Sequence, residues 1–104
     1  MRIVEWSDRA QRELEEYLDW VAEHDRAAAQ RIRREIVTWT ERVAAHPQMG
    51  NPNRWPGFLT HGYPTRSKRI IYQVFEDRIE IAAFSDMRQD NSALKLRSAS
   101  KDDR

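Results

Sequence analysis

RSKRIIYQVFEDRIEIAAFSDMR, residues 66–88, is the stretch on which the fold turns. From Ser67 to Phe75 the residues alternate, with Ile70, Tyr72 and Val74 on one side and Ile71, Gln73 and Phe75 on the other. That period of two belongs to a strand. Arg78 to Phe84 repeats the pattern, with Ile79, Ile81 and Ala83 set against Arg78, Glu80 and Ala82. Between the runs, Glu76-Asp77 has the length of a two-residue hairpin turn, and Asp tolerates the left-handed backbone that such turns favour. The stretch therefore predicts a β-hairpin at the middle of a sheet, with charged groups at its ends as the candidate working surface.

Working outward, Phe58 to His61 predicts a brief further strand, broken by Gly62 and Pro64. Gln48 to Gly57 holds Gly50, Pro52, Pro56 and Gly57 and reads as loop. Two helices precede it. Ser7 is a good N-cap for a helix from Asp8 to His24, whose apolar stripe is Ala10, Leu14, Tyr17, Leu18 and Val21. Glu13, Glu15, Glu16 and Asp19 then read as its solvated, acidic side. Asp25 can cap a second helix from Arg26 to Ala45, with a stripe of Ala29, Ile32, Ile36, Trp39 and Val43 ended by Pro47. One or two polar residues between two amphipathic helices imply an antiparallel helical hairpin. Met1 to Trp6 predicts a first strand. The order is β-α-α-β-β-β: an α+β fold in which the helical hairpin covers one face of a twisted, mainly antiparallel sheet. A single domain is expected over residues 1–90, with 91–104 as a tail whose large apolar groups are Leu94 and Leu96.

Composition narrows the chemistry. There is no cysteine, which removes disulfides and thiolate chemistry and fits a reducing, cytoplasmic location. The charged N-terminus lacks the apolar core of a signal peptide, and no apolar run approaches the length of a membrane span. Net charge is +1, weaker than a dedicated nucleic-acid binder carries. Residues 1–46 hold eight Arg against ten carboxylates, whereas residues 47–84 hold five basic groups against three acidic ones. The basic bias is local to the hairpin region.

At this point the residues resemble the ParE/RelE superfamily of type II toxins. IVEWSDRAQREL is similar to that superfamily's opening, and HPQMGNP to its P-x-x-G loop. KRIIYQVFEDRIEIAAF resembles its central hairpin, and DMRQD its exit. The likeness covers residues 2–90 in order. It implies a compact growth-inhibiting toxin neutralised by a cognate antitoxin, and leaves room for a higher-order toxin–antitoxin complex. RelE-like members cleave mRNA on the ribosome; ParE-like members poison DNA gyrase.

The residues must choose between those targets. Cleaving RNA through its 2′-OH needs a base, an acid for the departing 5′-oxygen and cations for the phosphate. Nuclease members tend to place His or Tyr just after the last strand, where this chain has Ser85 and Asp86. His24 and His46 read as helix-end residues, leaving His61 as the histidine near the sheet, directed toward Arg69 if its strand forms. Arg66, Lys68, Arg69, Arg78 and Arg88 are expected to gather at one end of the hairpin, where guanidinium forks hold phosphate or carboxylate equally well. Tyr72, Trp6 and Trp39 read as core, and Trp55 in its Pro-flanked loop as an interface anchor. No metal-ligand pattern, phosphate-cradling Gly loop or cofactor motif is visible. The favoured expectation is a ParE-like toxin that binds gyrase and is not an enzyme, with Trp55, Arg66, Arg69, Arg78 and Arg88 meeting partners. The alternative is a metal-independent, ribosome-dependent mRNA endoribonuclease using Arg66, Arg69, Arg88 and His61. A third reading is a toxin fold that has lost activity and retains only partner binding.

Overall fold

The computed structural model describes residues 2–52, 57–62 and 68–86. Strand β1 (Ile3–Trp6) leads into helices α1 (Asp8–His24) and α2 (Arg26–Ala45). A single 3-10 turn (Pro47–Met49) is followed by β2 (Asn51–Pro52), β3 (Leu59–Gly62), β4 (Lys68–Val74) and β5 (Arg78–Asp86). The strands form one sheet in the order β1-β5-β4-β3-β2, antiparallel except where β1 runs parallel to β5. The expected α+β architecture is present, with both helices on one face.

The helices begin and end where local chemistry places them. Ser7 Oγ accepts from the Ala10 N–H at 3.0 Å, filling one of the donors that a helix start leaves open. Asp25 alone joins the helices. Its N–H donates to the Val21 carbonyl, and its carboxylate accepts from Ala28 N–H at 3.0 Å. The two apolar stripes meet the sheet in one core of Ala10, Leu14, Leu18, Ile32, Ile36, Trp39 and Val43 against Ile70, Tyr72, Ile79, Ile81 and Phe84. Arg33 holds Glu15 across the hairpin through two bonds of 3.0 and 3.1 Å, which lowers that carboxyl's pKa.

The structure departs from the sequence reading in three places. The segment from Gln48 is not simply loop: Asn51 and Pro52 pair with Thr60 and Leu59 as the outermost strand. An edge position suits proline, which has no N–H to donate to a further neighbour. The Glu76-Asp77 turn closes without a left-handed residue, since among the described residues only Gly57 has positive φ, at 86°. The alternation along β5 also breaks. Ile71 pairs with Ala83 but Tyr72 with Ile81, leaving Ala82 as the extra residue of a β-bulge. Beyond the bulge every side chain changes face. Ala82 and Ala83 join Phe58 and Ile71 in a second cluster, and Phe84 returns to the helix-side core.

Tyr72 ties the sheet to the turn after α2. Its hydroxyl donates to the Pro47 carbonyl at 3.0 Å and accepts from Gly50 N–H at 2.9 Å. A Cβ at Gly50 would lie 2.5 Å from that hydroxyl, so the position needs glycine for space. Tyr72 is fully buried, as expected, with its ring edge-on to Trp39.

Candidate functional site

The exit end of the β4–β5 hairpin is assembled by side chains from α1. Helix α1 lies over β5, and its first turn reaches the bulge. Ser7 Oγ donates to the Ala82 carbonyl at 2.9 Å, and Ser7 N–H to the Ile81 carbonyl at 2.9 Å. One turn later, Glu13 accepts from the Phe84 N–H at 3.1 Å and from Arg9 Nε at 3.2 Å, while Arg9 Nη2 reaches Ser85 Oγ at 3.4 Å. Glu13 was expected on the solvated side, yet its side chain is only 14% exposed. Phe84 lies beyond the end of β1, whose pairing with β5 stops at Ile81, and a buried N–H there needs an acceptor. Glu13 supplies it.

Around this clamp stand the cations of β4. Lys68 lies on the helix side, its Nζ 5.3 Å from the Tyr17 ring centre and 5.8 Å from that of Phe84. Strand alternation sends half-buried Arg69 to the other face, where it pairs with Ser85 on one side and Gly62 on the other. The sequence expectation that Lys68, Arg69 and Arg78 share one end fails. Arg78 sits at the turn end, six strand positions from Arg69, or ~20 Å at about 3.3 Å per residue. There it covers the Phe75 ring at 4.3 Å and pairs with Asp77 at 3.1 Å. Arg66, Arg88 and Trp55 lie outside the described residues, as does the 91–104 tail. The expected strand around His61 is present, and its register sets His61 opposite Ile70, with Gly62 opposite Arg69.

Ser85 and Asp86, expected just after the last strand, lie within β5, and Ser85 is 1% exposed and engaged by Arg9. Among the described residues no three His, Asp or Glu side chains gather as a metal site. A depression of about 470 Å³ nearby is lined by Glu5, Trp6, Ser7, Asp8, Arg9 and Glu80, and three carboxylates repel a phosphate. Among the described residues no helix is long and apolar enough to cross a membrane.

Sequence reasoning missed two groups here. Glu13 was visible as part of i, i+4 spacing with Arg9, but its backbone target, the Phe84 N–H, lies 71 residues away. Trp20, which falls off the apolar stripe of α1, is 60% exposed, in a ring ladder with Tyr17 and His24. Its departure from the stripe was the available signal.

Comparison with known proteins agrees with the geometry. A chain from the chromosomal ParDE toxin–antitoxin system of P. aeruginosa is similar in fold, with a TM-score of 0.70 and 19% identity, over 83% of this chain and 96% of that one. The isolated E. coli RelE toxin matches with a TM-score of 0.55 and 10% identity, over 96% and 99% of the two chains. No curated protein matches by sequence. The family described as the ParE toxin of the type II toxin–antitoxin system parDE matches residues 4–91. A match of that extent, in a chain with the two-helix, mixed-sheet fold, places this protein in the ParE toxin family of type II toxin–antitoxin systems.

Proposed function

We propose that this ParE-family toxin inhibits growth by binding DNA gyrase rather than by cutting RNA, and that its cognate antitoxin neutralises it by covering the exit end of the hairpin. The observation that carries this reading is the chemistry at the end of the last strand, where Ser85 lies within β5. A nuclease needs an ionisable donor and acceptor within hydrogen-bond reach of the ribose and the leaving oxygen. Here Ser85 is buried, held by Arg9, and far too weak an acid for that task. The cations of this end, Lys68 and Arg69 with Arg66 and Arg88 in sequence around them, suit recognition of carboxylate or phosphate. Binding without acid–base machinery is what a protein that stabilises another enzyme's intermediate requires.

The test sets two assays of the purified chain side by side. Gyrase supercoiling is expected to be inhibited, with cleaved DNA accumulating, and translation-coupled mRNA cleavage to be absent. Messenger cleavage that disappears with Arg69→Ala would replace this reading with the endoribonuclease. Inactivity in both assays, with antitoxin binding intact, would leave a toxin fold that only binds its partner.

A further inference from the structure

We propose that Trp20, with Glu16 and Glu23, forms a docking site for a basic segment of the antitoxin. Scattered apolar groups on a surface are ordinary, but this tryptophan is held in place. Its ring stacks on Tyr17 at 6.3 Å and 25°, and lies 5.3 Å from the His24 ring. Tyr17 in turn meets buried Phe84 edge-on at 5.5 Å. The ladder therefore runs from the core at the exit end to solvent, so that the indole is oriented before any partner arrives. A large aromatic with little rotamer freedom left to lose is the usual anchor of a protein interface.

Charge identifies what the anchor receives. Glu16 precedes Trp20 by four residues and Glu23 follows by three, so both lie beside it on the helix surface. Both are exposed, as is Asp19, and neither glutamate takes part in an ion pair among the described residues. The whole of α1 carries six carboxylates against two arginines. An indole face between two unpaired carboxylates fits a guanidinium or ammonium, which gains the ring quadrupole and the charges together. The same carboxylates repel nucleic acid. The occupant is thus a polypeptide bearing Arg or Lys. This assignment rests on the toxin–antitoxin reading of the chain, and it adds a basic contact to the acidic one that Arg69 would take.

The experiment titrates the full chain with its purified cognate antitoxin. Trp20→Ala is expected to weaken binding by about 30-fold, in the range of an interface anchor. Trp20→Phe should recover part of that loss, and Glu16→Gln with Glu23→Gln should weaken binding several-fold while flattening its salt dependence. Because all three positions are exposed, unchanged thermal melting will separate lost contact from lost fold. Wild-type affinity in Trp20→Ala overturns the assignment while leaving the toxin–antitoxin reading in place. Sedimentation that finds a Trp20-dependent dimer of the free chain overturns it in favour of a second copy. A wild-type chain that binds no antitoxin overturns both readings.

Discussion

The two ends of the β4–β5 hairpin are built by different means. At the turn end the contacts are short in sequence: Arg78 covers Phe75 and pairs with Asp77, and Phe75 N–H donates to the Arg78 carbonyl at 2.8 Å. Remote groups join them as well, with Arg2 Nε donating to the Phe75 carbonyl at 2.8 Å and Ile3 of β1 registered opposite Arg78. At the exit end, among the described residues, α1 and its cap Ser7 reach Ala82, Phe84 and Ser85 from more than 70 residues earlier. The turn end closes itself. The exit end exists only once the helix has docked, which makes it the end whose shape a mutation far away in sequence can change.

The largest expected effect is therefore at the exit. Glu13→Ala leaves the Phe84 N–H buried without its acceptor and releases Arg9 from its carboxylate. A buried donor left unmade costs ~1–3 kcal/mol, which in a chain of this size lowers the melting temperature by roughly 5–20 °C. Amide exchange should localise the loss, with Phe84 N–H losing protection while Phe75 N–H keeps it. Equal loss at both amides would show that the two ends are not independent. Glu13→Gln retains an acceptor and should recover much of the stability.

Tyr72 supplies an intermediate case, a remote contact at the middle of the same sheet. Burial raises its phenol pKa above the ordinary 10.0, with the Gly50 N–H pulling more weakly the other way. Folding thus favours the protonated phenol, which also donates to Pro47. That contribution is complete below pH 10 and disappears as pH rises through the folded-state value. Stability measured by denaturant titration should fall more steeply above pH 10 in the wild type than in Tyr72→Phe. Parallel curves would mean that the phenol does not report on the fold. At neutral pH the variant should be less stable by ~1–3 kcal/mol, because Gly50 N–H and the Pro47 carbonyl lose their partner.

The smallest effect belongs to the turn end. Arg78→Ala removes a surface ion pair with an 79% exposed Asp77 and a cation on a ring, together worth about 1 kcal/mol or less. Antitoxin affinity is expected to be unchanged, since Arg78 stands apart from Lys68 and Arg69. A large loss of binding would move the partner surface to the turn end and reverse the comparison.

How far the sequence could be read follows the same division. Ser7 and Asp25 announce helix starts because a cap is a contact over three residues, and both helices begin and end at the predicted residues. The apolar stripes of α1 and α2 name the core for a related reason: a helix's period is local, and its apolar face must be covered. The hairpin and the α+β order were equally legible. The bulge at Ala82 was not, because nothing in IEIAAFSD marks which alanine leaves the ladder until the opposite strand and the first turn of α1 are in place. One extra residue there carried Phe84 back to the core, where its N–H donates to the mostly covered Glu13 and its ring meets Tyr17 at the root of the ladder that ends in Trp20. By itself the sequence determined the elements and their apolar faces, through interactions spanning a few residues. Only the tertiary structure decided how the exit end is put together and which side chains it presents, because those contacts join α1 to a strand more than 70 residues away.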